Sequence, residues 1–237
     1  IDTALDYGDN ENILSESLKD KQDVLIISKI KSNSFNVNSF KKINSLFALL
    51  LHDNHLLYNW ENKHTLLIND LKQNSKIKYF GASIYNSEEF HLALENENIH
   101  IIQIPFNIFD LRAINENWFK KAKDKNKLLL IRSVFLQGLL LMDIDKIPNT
   151  LQDSIKYLNI FNNYSKKIGI SKLDLAICFI KYFTSSSIVI FGCNELYQAK
   201  ENFYAFNKNI ILKEDIIQNI IKDFSKIKEN IYNPSKW

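Results

Sequence analysis

The sequence contains few of the residues that crosslink a chain, bind metals or interrupt regular structure. Its 237 residues include five glycines, three prolines, two cysteines and one methionine. Cys178 and Cys193 lack the spacing of a zinc or redox motif, so we expect no metal site and a reducing, cytoplasmic setting. No apolar run approaches about 18 residues, which excludes a transmembrane helix from this sequence. The net charge is +3, and the basic residues are scattered along the chain without forming a basic stripe. This distribution argues against a nucleic acid partner.

Short apolar runs alternate with amphipathic stretches along the whole chain. The runs have strand length and are continuous, which is typical of strands buried on both faces. Helices between such strands indicate an α/β protein with a parallel sheet. The predicted strands are a first one that ends at Asp2, followed by residues 23–28, 46–51, 78–83, 100–106, 128–133 and 187–191. The predicted helices are residues 10–19, 37–45, 63–73, 87–95, 115–125, 150–167, 171–183, 195–206 and 213–231.

The number of units indicates a barrel. Eight strand–helix units close a (β/α)₈ TIM barrel of roughly 250 residues. The seven strands found here, of which the first begins abruptly at Ile1, predict one barrel domain over residues 1–237 that lacks its first strand and helix. A doubly wound open sheet is the alternative. It is disfavoured because no glycine-rich turn follows an early strand, as a dinucleotide-binding fingerprint requires.

Polar side chains gather at the predicted strand ends, where barrels of this kind carry their catalytic groups. Asp2 and Lys29 end neighbouring strands, Tyr7 follows in the first loop, and His52 ends the next strand. A phenol, with a pKa of about 10, is a poor acid near neutral pH until an ammonium stabilises its phenolate. Lys29 suits that role with Asp2 to hold it, and His52 suits the orientation of a carbonyl oxygen. Taken singly, each residue is also compatible with a structural role, and Lys29 with a Schiff-base aldolase.

The ordered set of motifs resembles the aldo-keto reductase family over nearly the whole chain. The motifs are DTALDYG at residues 2–8, ISKI around Lys29, LLLHD around His52, GAS at 81–83, QIPFN at 103–107, RSVFLQGLL at 132–140 and FGCNELYQAKEN at 191–202. The resemblance implies a reductase that takes hydride from NAD(P)H and reduces a small-molecule aldehyde or ketone, with sugar-derived carbonyls among the candidates. It implies Tyr7 as the proton donor, the Lys29 and Asp2 pair that tunes it, and His52 as the group that orients the carbonyl.

The resemblance also implies where the cofactor binds. Ser83 and Gln103 match the positions that bind the carboxamide of the nicotinamide ring. The other matched positions lie around and after the last two strands, where barrels hold phosphate. They are Arg132, Ser133, Phe135, Gln137, Gly138, Gly192, Cys193, Asn194, Gln198, Glu201 and Asn202. NADP(H) is favoured over NAD(H) by the habit of the family alone.

Several cofactor positions depart from the family pattern. Ile84 replaces an asparagine that contacts the carboxamide, and Arg132 stands where many members stack a tyrosine on the nicotinamide. Gly192, Cys193 and Gln198 replace the residues that clasp the 2′-phosphate of NADPH. These departures keep a second interpretation open, a catalytically weak nicotinamide-binding barrel with a regulatory or scaffold role.

The sequence says less about substrate and partners. The loop at residues 54–60, after the strand predicted over residues 46–51, carries His55, Tyr58 and Trp60. These aromatic side chains either line a pocket for a sugar or aromatic aldehyde or simply pack the loop. We expect a monomer or a weak homodimer, with neither a membrane nor a nucleic acid as partner.

Overall fold

The structure is a computed structural model of the chain. It describes residues 1–5, 7, 10–18, 21, 23–36 and 45–237. Three predictions fall partly outside the described residues. They are the first motif, at Asp6 and Gly8, the helix predicted over residues 10–19, at Lys19, and the helix predicted over residues 37–45, of which only Ser45 is described.

The described residues form an α/β fold with a six-stranded sheet. The strands are β1 (Ile27–Ile30), β2 (Leu46–Leu51), β3 (Ile77–Ser83), β4 (Ile101–Pro105), β5 (Leu128–Arg132) and β6 (Ser187–Val189). The helices are α1 (Asn10–Ser17), α2 (His55–Tyr58), α3 (Asn62–Gln73), α4 (Ser87–Glu95), α5 (Arg112–Asn115), α6 (Trp118–Asp124), α7 (Ile155–Ile168), α8 (Lys172–Phe183), α9 (Leu196–Asn207), α10 (Glu214–Phe224) and α11 (Glu229–Tyr232). None of these described helices combines the length and hydropathy that crossing a bilayer requires.

Strand order follows chain order, β1-β2-β3-β4-β5-β6, and the first three strand pairs are parallel. The first predicted strand is reduced to a single parallel bridge between Asp2 and Ile27. Backbone bonds on either side hold this segment against β1. The Ile27 N–H donates to the Ile1 carbonyl and the Thr3 N–H donates to the Ile27 carbonyl, both at 2.8 Å. Asp2 is therefore fixed beside β1 although its segment is too short to count as a strand.

The chain divides into two compact units. The first comprises Ile1–Ile104 and Lys120–Leu130, and the second comprises Pro105–Phe119 and Ile131–Trp237. The interpretation of residues 1–237 as a single domain stays a prediction.

In the first unit the core is built on the strands themselves. In β2 every residue except Phe47 is buried, as expected for a strand covered on both faces. Gly81 in β3 lets a neighbouring strand approach closely. A Cβ atom at this position would lie 2.3 Å from the Ile101 carbonyl oxygen and 2.6 Å from Leu50 Cδ2. The requirement for glycine here comes from strand packing.

In the second unit α8 is the most thoroughly buried helix, and its start agrees with the sequence prediction. The Ser171 hydroxyl accepts a hydrogen bond from the backbone N–H of Asp174 at 3.0 Å, which makes Ser171 the N-cap. Gly169 ends the preceding helix α7 in the left-handed region, with φ of 79°. An aromatic contact, with 5.8 Å between the ring centroids of Phe106 and Phe179, packs α8 onto the residue after β4.

Several predicted boundaries need correction. β1 runs past its predicted end, so Lys29 lies inside the strand, because Ile27 through Ile30 pair in parallel with β2. α4 has its predicted bounds, and Asn86 is its N-cap, since Asn86 Oδ1 accepts from the Glu89 N–H at 2.8 Å. The helix predicted over residues 115–125 is α6, which begins three residues later at Trp118, and the short helix α5 precedes it. The helix predicted over residues 213–231 is two helices, α10 and α11.

Helix α3 begins with reciprocal hydrogen bonds that use a buried histidine. The Glu61 N–H donates to His64 Nδ1 at 3.0 Å, and the Glu61 side chain accepts from the backbone of His64. The His64 ring is buried and packs edge-on against Trp60, with 5.6 Å between centroids. Burial lowers the pKa of His64, and the charge of Lys63 lowers it further. Protonation of His64 would remove the acceptor that closes this cap.

We expect the free energy of unfolding to fall as the pH is lowered from about 7.5 to about 5. Because the pKa of His64 is lower in the folded state than in the unfolded state, the unfolded state binds more protons between the two values. Stability is therefore full above about pH 6.5, the unfolded value, and is lost as the pH falls through the folded value. Burial also lowers the pKa of His100 and adds to the trend.

Urea unfolding at several pH values measures this effect. His64→Gln should flatten the dependence on pH, whereas His55→Gln, at an exposed position, should leave it as in the wild type. Identical slopes for the wild type and His64→Gln would contradict the assignment.

Candidate active site

A buried ion pair forms the centre of the candidate site, in the first unit. The side chain of Lys29 is 3% exposed and that of Asp2 is 16% exposed. Lys29 Nζ donates to Asp2 Oδ2 at 2.7 Å and to the Thr3 carbonyl at 3.0 Å. The bridge between Asp2 and Ile27 places the carboxylate within reach of β1. Removal of either partner would leave a buried charge uncompensated, which is strongly destabilising.

Tyr7 and His52 lie against this pair, so the structure brings all four predicted catalytic residues together. Lys29 Nζ is 5.4 Å from the centroid of the Tyr7 ring. The rings of Tyr7 and His52 meet edge to face, with 5.7 Å between their centroids. Tyr7 is 47% exposed. An exposed tyrosine thus lies beside a buried ammonium, and an ammonium close to a phenol stabilises its phenolate.

Ser83 and Gln103, the positions matched to the carboxamide, connect directly to the ion pair. They are register partners on β3 and β4, and both are buried. Ser83 Oγ donates to Gln103 Oε1 at 3.0 Å, and Gln103 Nε2 donates to Asp2 Oδ1 at 3.0 Å. Sequence reasoning missed this connection, because Asp2 and Gln103 are 101 positions apart and no local pattern joins them. Their role in binding a carboxamide stays a prediction.

A further set of side chains, which the sequence did not mark as catalytic or cofactor-binding, holds the loops around His52. Asn54 is buried, and its Nδ2 donates to the Ser83 carbonyl and to Glu89 Oε2, both at 2.9 Å. Glu89 Oε2 also accepts from the Tyr85 N–H at 2.6 Å, and the Tyr85 hydroxyl donates to the His52 carbonyl at 3.3 Å. The only sequence signal was an acidic residue in the first turn of α4, which indicates helix capping.

The aromatic residues of the loop after β2 have different environments. Trp60 Nε1 donates to Thr65 Oγ1 at 3.1 Å, and its ring packs on Phe80 at 6.3 Å between centroids. Trp60 therefore packs the loop. Tyr58 is 44% exposed, and its hydroxyl donates to Glu88 at 3.3 Å. Burial raises the pKa of Tyr58, as does the charge of Glu88. A role for Tyr58 in substrate binding stays a prediction.

In the second unit, the segment after β5 has an unusual backbone. Residues in the left-handed region are Ser133 (φ 61°), Leu136 (49°), Gln137 (53°) and Gly138 (87°). For residues other than glycine this conformation costs about 1–3 kcal/mol each and is concentrated at ligand sites. Within the described part of the chain, the N–H groups of Phe135 and Gln137 have no acceptor. Turns whose N–H groups are left over in this way suit an anionic ligand.

Asn107 holds the start of this segment. It is fully buried, and its Nδ2 donates to the Ser133 carbonyl at 3.0 Å. Its Oδ1 accepts from the N–H groups of Phe109 and Asp110 at 2.9 and 3.1 Å. Arg132, half-buried at the end of β5, donates to Ser133 Oγ at 3.1 Å. The left-handed conformation of Ser133 is thus maintained by a side chain from the segment after β4.

The predicted cofactor residues after β6 lie around the start of α9. Gln198 Oε1 accepts from the N–H groups of Asn194 and Glu195 at 2.8 and 3.3 Å. Gln198 therefore serves the N-terminal cap of α9, and Gly192 and Asn194 are exposed beside it. Cofactor contacts at these three positions stay predictions.

A cavity of about 490 Å³ adjoins this region. Cys193, Asn202 and Phe191 are among its lining residues. Phe191 also stacks on Phe135, with 5.7 Å between ring centroids. Glu201, another predicted cofactor residue, is exposed on α9.

Among the residues that the structure describes, no group of three or more histidine, cysteine, aspartate or glutamate side chains could hold a metal ion.

Asn107→Ala tests the hydrogen bonds that hold Ser133. The change removes one of the two hydrogen bonds to the Ser133 carbonyl and leaves the N–H group of Phe109 without its acceptor, so we expect a loss of about 2 kcal/mol in the free energy of unfolding. Urea unfolding measures it. Asn163→Ala on the exposed side of α7 is the matched control, with an expected change within about 0.5 kcal/mol. Equal losses in the two variants would contradict the role of Asn107.

The sequence comparison and the structure comparison match the chain to proteins of the same family. The sequence profile of the Aldo/keto reductase family matches residues 1–222. An aldo-keto reductase from Bacillus halodurans, in its holo form, is 20% identical with a TM-score of 0.76, covering 100% of this chain and 84% of that one. A glycerol dehydrogenase from Gluconobacter oxydans is 17% identical with a TM-score of 0.72, covering 99% and 82%. No curated protein matches the chain.

A third solved structure contains ligands. It is an aldo/keto reductase from Klebsiella pneumoniae in complex with NADP and acetate, which is 17% identical with a TM-score of 0.70 and covers 94% of this chain and 79% of that one. At identities of 20% or less, similarity to these structures shows the fold alone. Together with the family profile they confirm the predicted fold class, the TIM-barrel type of α/β protein.

Proposed function

We propose that this chain, which belongs to the aldo/keto reductase family, reduces an aldehyde or ketone to an alcohol with Tyr7 as the proton donor. One observation carries the proposal. Lys29 Nζ is held by Asp2 at 2.7 Å and lies 5.4 Å from the centroid of the Tyr7 ring. A buried ammonium that is fixed beside an exposed phenol has a direct use in acid catalysis, whereas a structural ion pair requires no phenol.

Each catalytic side chain has a distinct task in this proposal. Tyr7 donates its phenolic proton to the carbonyl oxygen of the substrate, and the positive charge of Lys29 stabilises the phenolate that remains. Asp2 keeps the ammonium charged and in place. The ring of His52, in contact with Tyr7, donates a hydrogen bond to the same oxygen. General acid catalysis of this kind contributes roughly 10²–10⁴-fold to a rate.

A nicotinamide cofactor, when bound, supplies the hydride that reduces the carbonyl carbon. Two observations support such a ligand. The N–H groups of Phe135 and Gln137, within a run of left-handed residues, suit a pyrophosphate. The relative from Klebsiella pneumoniae was solved with NADP. We therefore propose NADP(H) ahead of NAD(H), although Gly192 and Gln198 do not provide the cationic contacts to a 2′-phosphate that many family members have.

The exposure of Tyr7 supports a small carbonyl substrate that arrives from solvent. The phenol is 47% exposed, whereas the ammonium behind it is buried. A carbonyl oxygen can thus approach Tyr7 and His52 from solvent, and Lys29 stays shielded from covalent attack. This difference in exposure disfavours a Schiff-base aldolase.

A second candidate function is a nicotinamide-binding regulatory or scaffold barrel with little turnover. One observation favours it. Ser83 and Gln103 are 1% and 0% exposed and are hydrogen-bonded to each other, and the adjacent Ile84 is a buried apolar residue. Contacts to the carboxamide are thus fewer than the family pattern provides, which weakens the hold on the reactive ring.

Tyr7→Phe separates the two candidates. For the reductase we expect turnover to fall by about 100-fold or more, because Phe cannot donate a proton, while cofactor affinity stays within about threefold. The measurements are NADPH oxidation with a panel of aldehydes and ketones and a titration of tryptophan fluorescence with NADPH. Tyr182→Phe on the surface of α8 is the matched control.

The outcomes are distinct. Near wild-type turnover in Tyr7→Phe would reject Tyr7 as the donor. Tight binding of NADPH by the wild type, with no reduction of any carbonyl in the panel, would favour the scaffold function.

A further inference from the structure

We infer that Gln103 is a positioning residue for the proton donor, because its amide fixes the Asp2 carboxylate and thereby sets how strongly Lys29 acts on Tyr7. The inference rests on the proposed function, in which Tyr7 gives up a proton. It adds a role to the contact with the cofactor that the family resemblance implies for Gln103.

A continuous chain of hydrogen bonds runs from β3 to the ion pair. Ser83 Oγ donates to Gln103 Oε1 at 3.0 Å, and Gln103 Nε2 donates to Asp2 Oδ1 at 3.0 Å. Lys29 Nζ donates to the other carboxylate oxygen, Asp2 Oδ2, at 2.7 Å. The two oxygens of Asp2 therefore have different partners, one charged and one neutral.

The chemistry of the partners fixes the direction of the Gln103 amide. An ionised carboxylate only accepts hydrogen bonds, so the NH₂ group of Gln103 must face Asp2. The amide oxygen then faces Ser83, whose hydroxyl can donate to it. A flipped amide would set an oxygen against the Asp2 carboxylate. Gln103 thus presents a donor to Asp2 in the only orientation that satisfies both of its neighbours.

Burial strengthens the hydrogen bond between Gln103 and Asp2. Gln103 is 0% exposed, and its backbone is held in register with Ser83 while its carbonyl accepts from the Ile84 N–H at 2.9 Å. Water does not reach the Gln103 side chain. A hydrogen bond to a charged acceptor in such surroundings is among the stronger ones in proteins.

The bond from Gln103 has two consequences for Tyr7. A carboxylate held at both oxygens cannot rotate, so it keeps Lys29 Nζ between Asp2 Oδ2 and the Thr3 carbonyl. The Gln103 N–H group on Asp2 Oδ1 also offsets part of the negative charge of the carboxylate. Asp2 therefore reduces the positive potential of Lys29 at the Tyr7 hydroxyl by a smaller amount. Loss of the donor should weaken the stabilisation of the phenolate, and a negative charge in its place should weaken it more.

The surroundings of Tyr7 allow this effect to be isolated. Within the described part of the chain, the charged and titratable side chains in contact around Tyr7 include Lys29 and His52, with Asp2 behind Lys29 and Tyr85 bonded to the His52 carbonyl. A substitution at Gln103 replaces none of these four. A change in the pH at which the phenol ionises therefore reports the field that the ion pair exerts on it.

The test is the pH dependence of kcat for carbonyl reduction at saturating NADPH and substrate. Reduction requires the protonated phenol, so kcat falls as the pH rises through its ionisation. Gln103→Glu keeps the length of the side chain and exchanges the donor for a negative acceptor. We expect the basic limb of the profile, the pH range over which kcat falls, to move to higher pH by about one pH unit. We also expect kcat to fall by about tenfold.

Gln103→Met is the second variant, without donor or charge, and its limb should move in the same direction by less. It replaces Gln103→Glu if the added charge prevents folding. Gln73→Glu, at the exposed end of α3, carries the same change of charge as a control and should leave both the limb and kcat unchanged.

A readout without turnover accompanies the kinetics. With tyrosine labelled at the ring carbon that bears the hydroxyl, the Tyr7 resonance is identified among ten tyrosines by its absence in Tyr7→Phe. It should titrate at higher pH in both Gln103 variants than in the wild type.

Two results would overturn the inference. One is a Tyr7 titration that neither Gln103 variant alters. The other is a rise in the KM for NADPH with the basic limb unmoved, which would confine Gln103 to the cofactor. Failure of the proposed function looks different, because the wild type itself would then show no turnover that depends on Tyr7 at any pH.

Discussion

The ion pair between Lys29 and Asp2 is the interaction on which the rest of the site depends. A side chain that is 3% exposed cannot carry an uncompensated charge at acceptable free energy. Lys29 in β1 therefore requires an acidic partner, and the chain supplies one by fixing Asp2 beside β1 through backbone bonds of Ile1 and Thr3. The same segment then carries Tyr7 into contact with Lys29.

The sheet provides the frame that aligns the other groups. Parallel strands in sequential order bring the ends of β1, β2, β3 and β4 to one edge. The register between Ser83 and Gln103 extends the hydrogen-bond chain from one strand to the next, and it ends on Asp2. Gly81 permits the close approach of neighbouring strands in that frame. Beyond the strand ends, a hydrogen bond from Asn54 to Glu89 connects the segments that follow β2 and β3.

The strands, and the meeting of the four proposed catalytic residues, could be predicted because their signals are local. A continuous apolar run such as that of β2 marks a buried strand wherever it occurs, and polar residues directly after such runs mark strand ends. The position of Lys29 inside β1 could not be predicted, since pairing with β2 decides it. The left-handed conformation of Leu136 and Gln137 has no sequence signal, because neither is a glycine or an asparagine. The bond between Gln103 and Asp2 depends on the whole intervening chain.

The most direct test of the central claim is the single-turnover rate of carbonyl reduction by Lys29→Met with NADPH bound. If the buried ammonium makes Tyr7 an acid, the rate should fall by about 100-fold or more. NADPH should still bind, as judged by tryptophan fluorescence, and the exposed Lys31→Met should react like the wild type. A folded Lys29→Met protein that binds NADPH and reduces the substrate at the wild-type rate would contradict the claim.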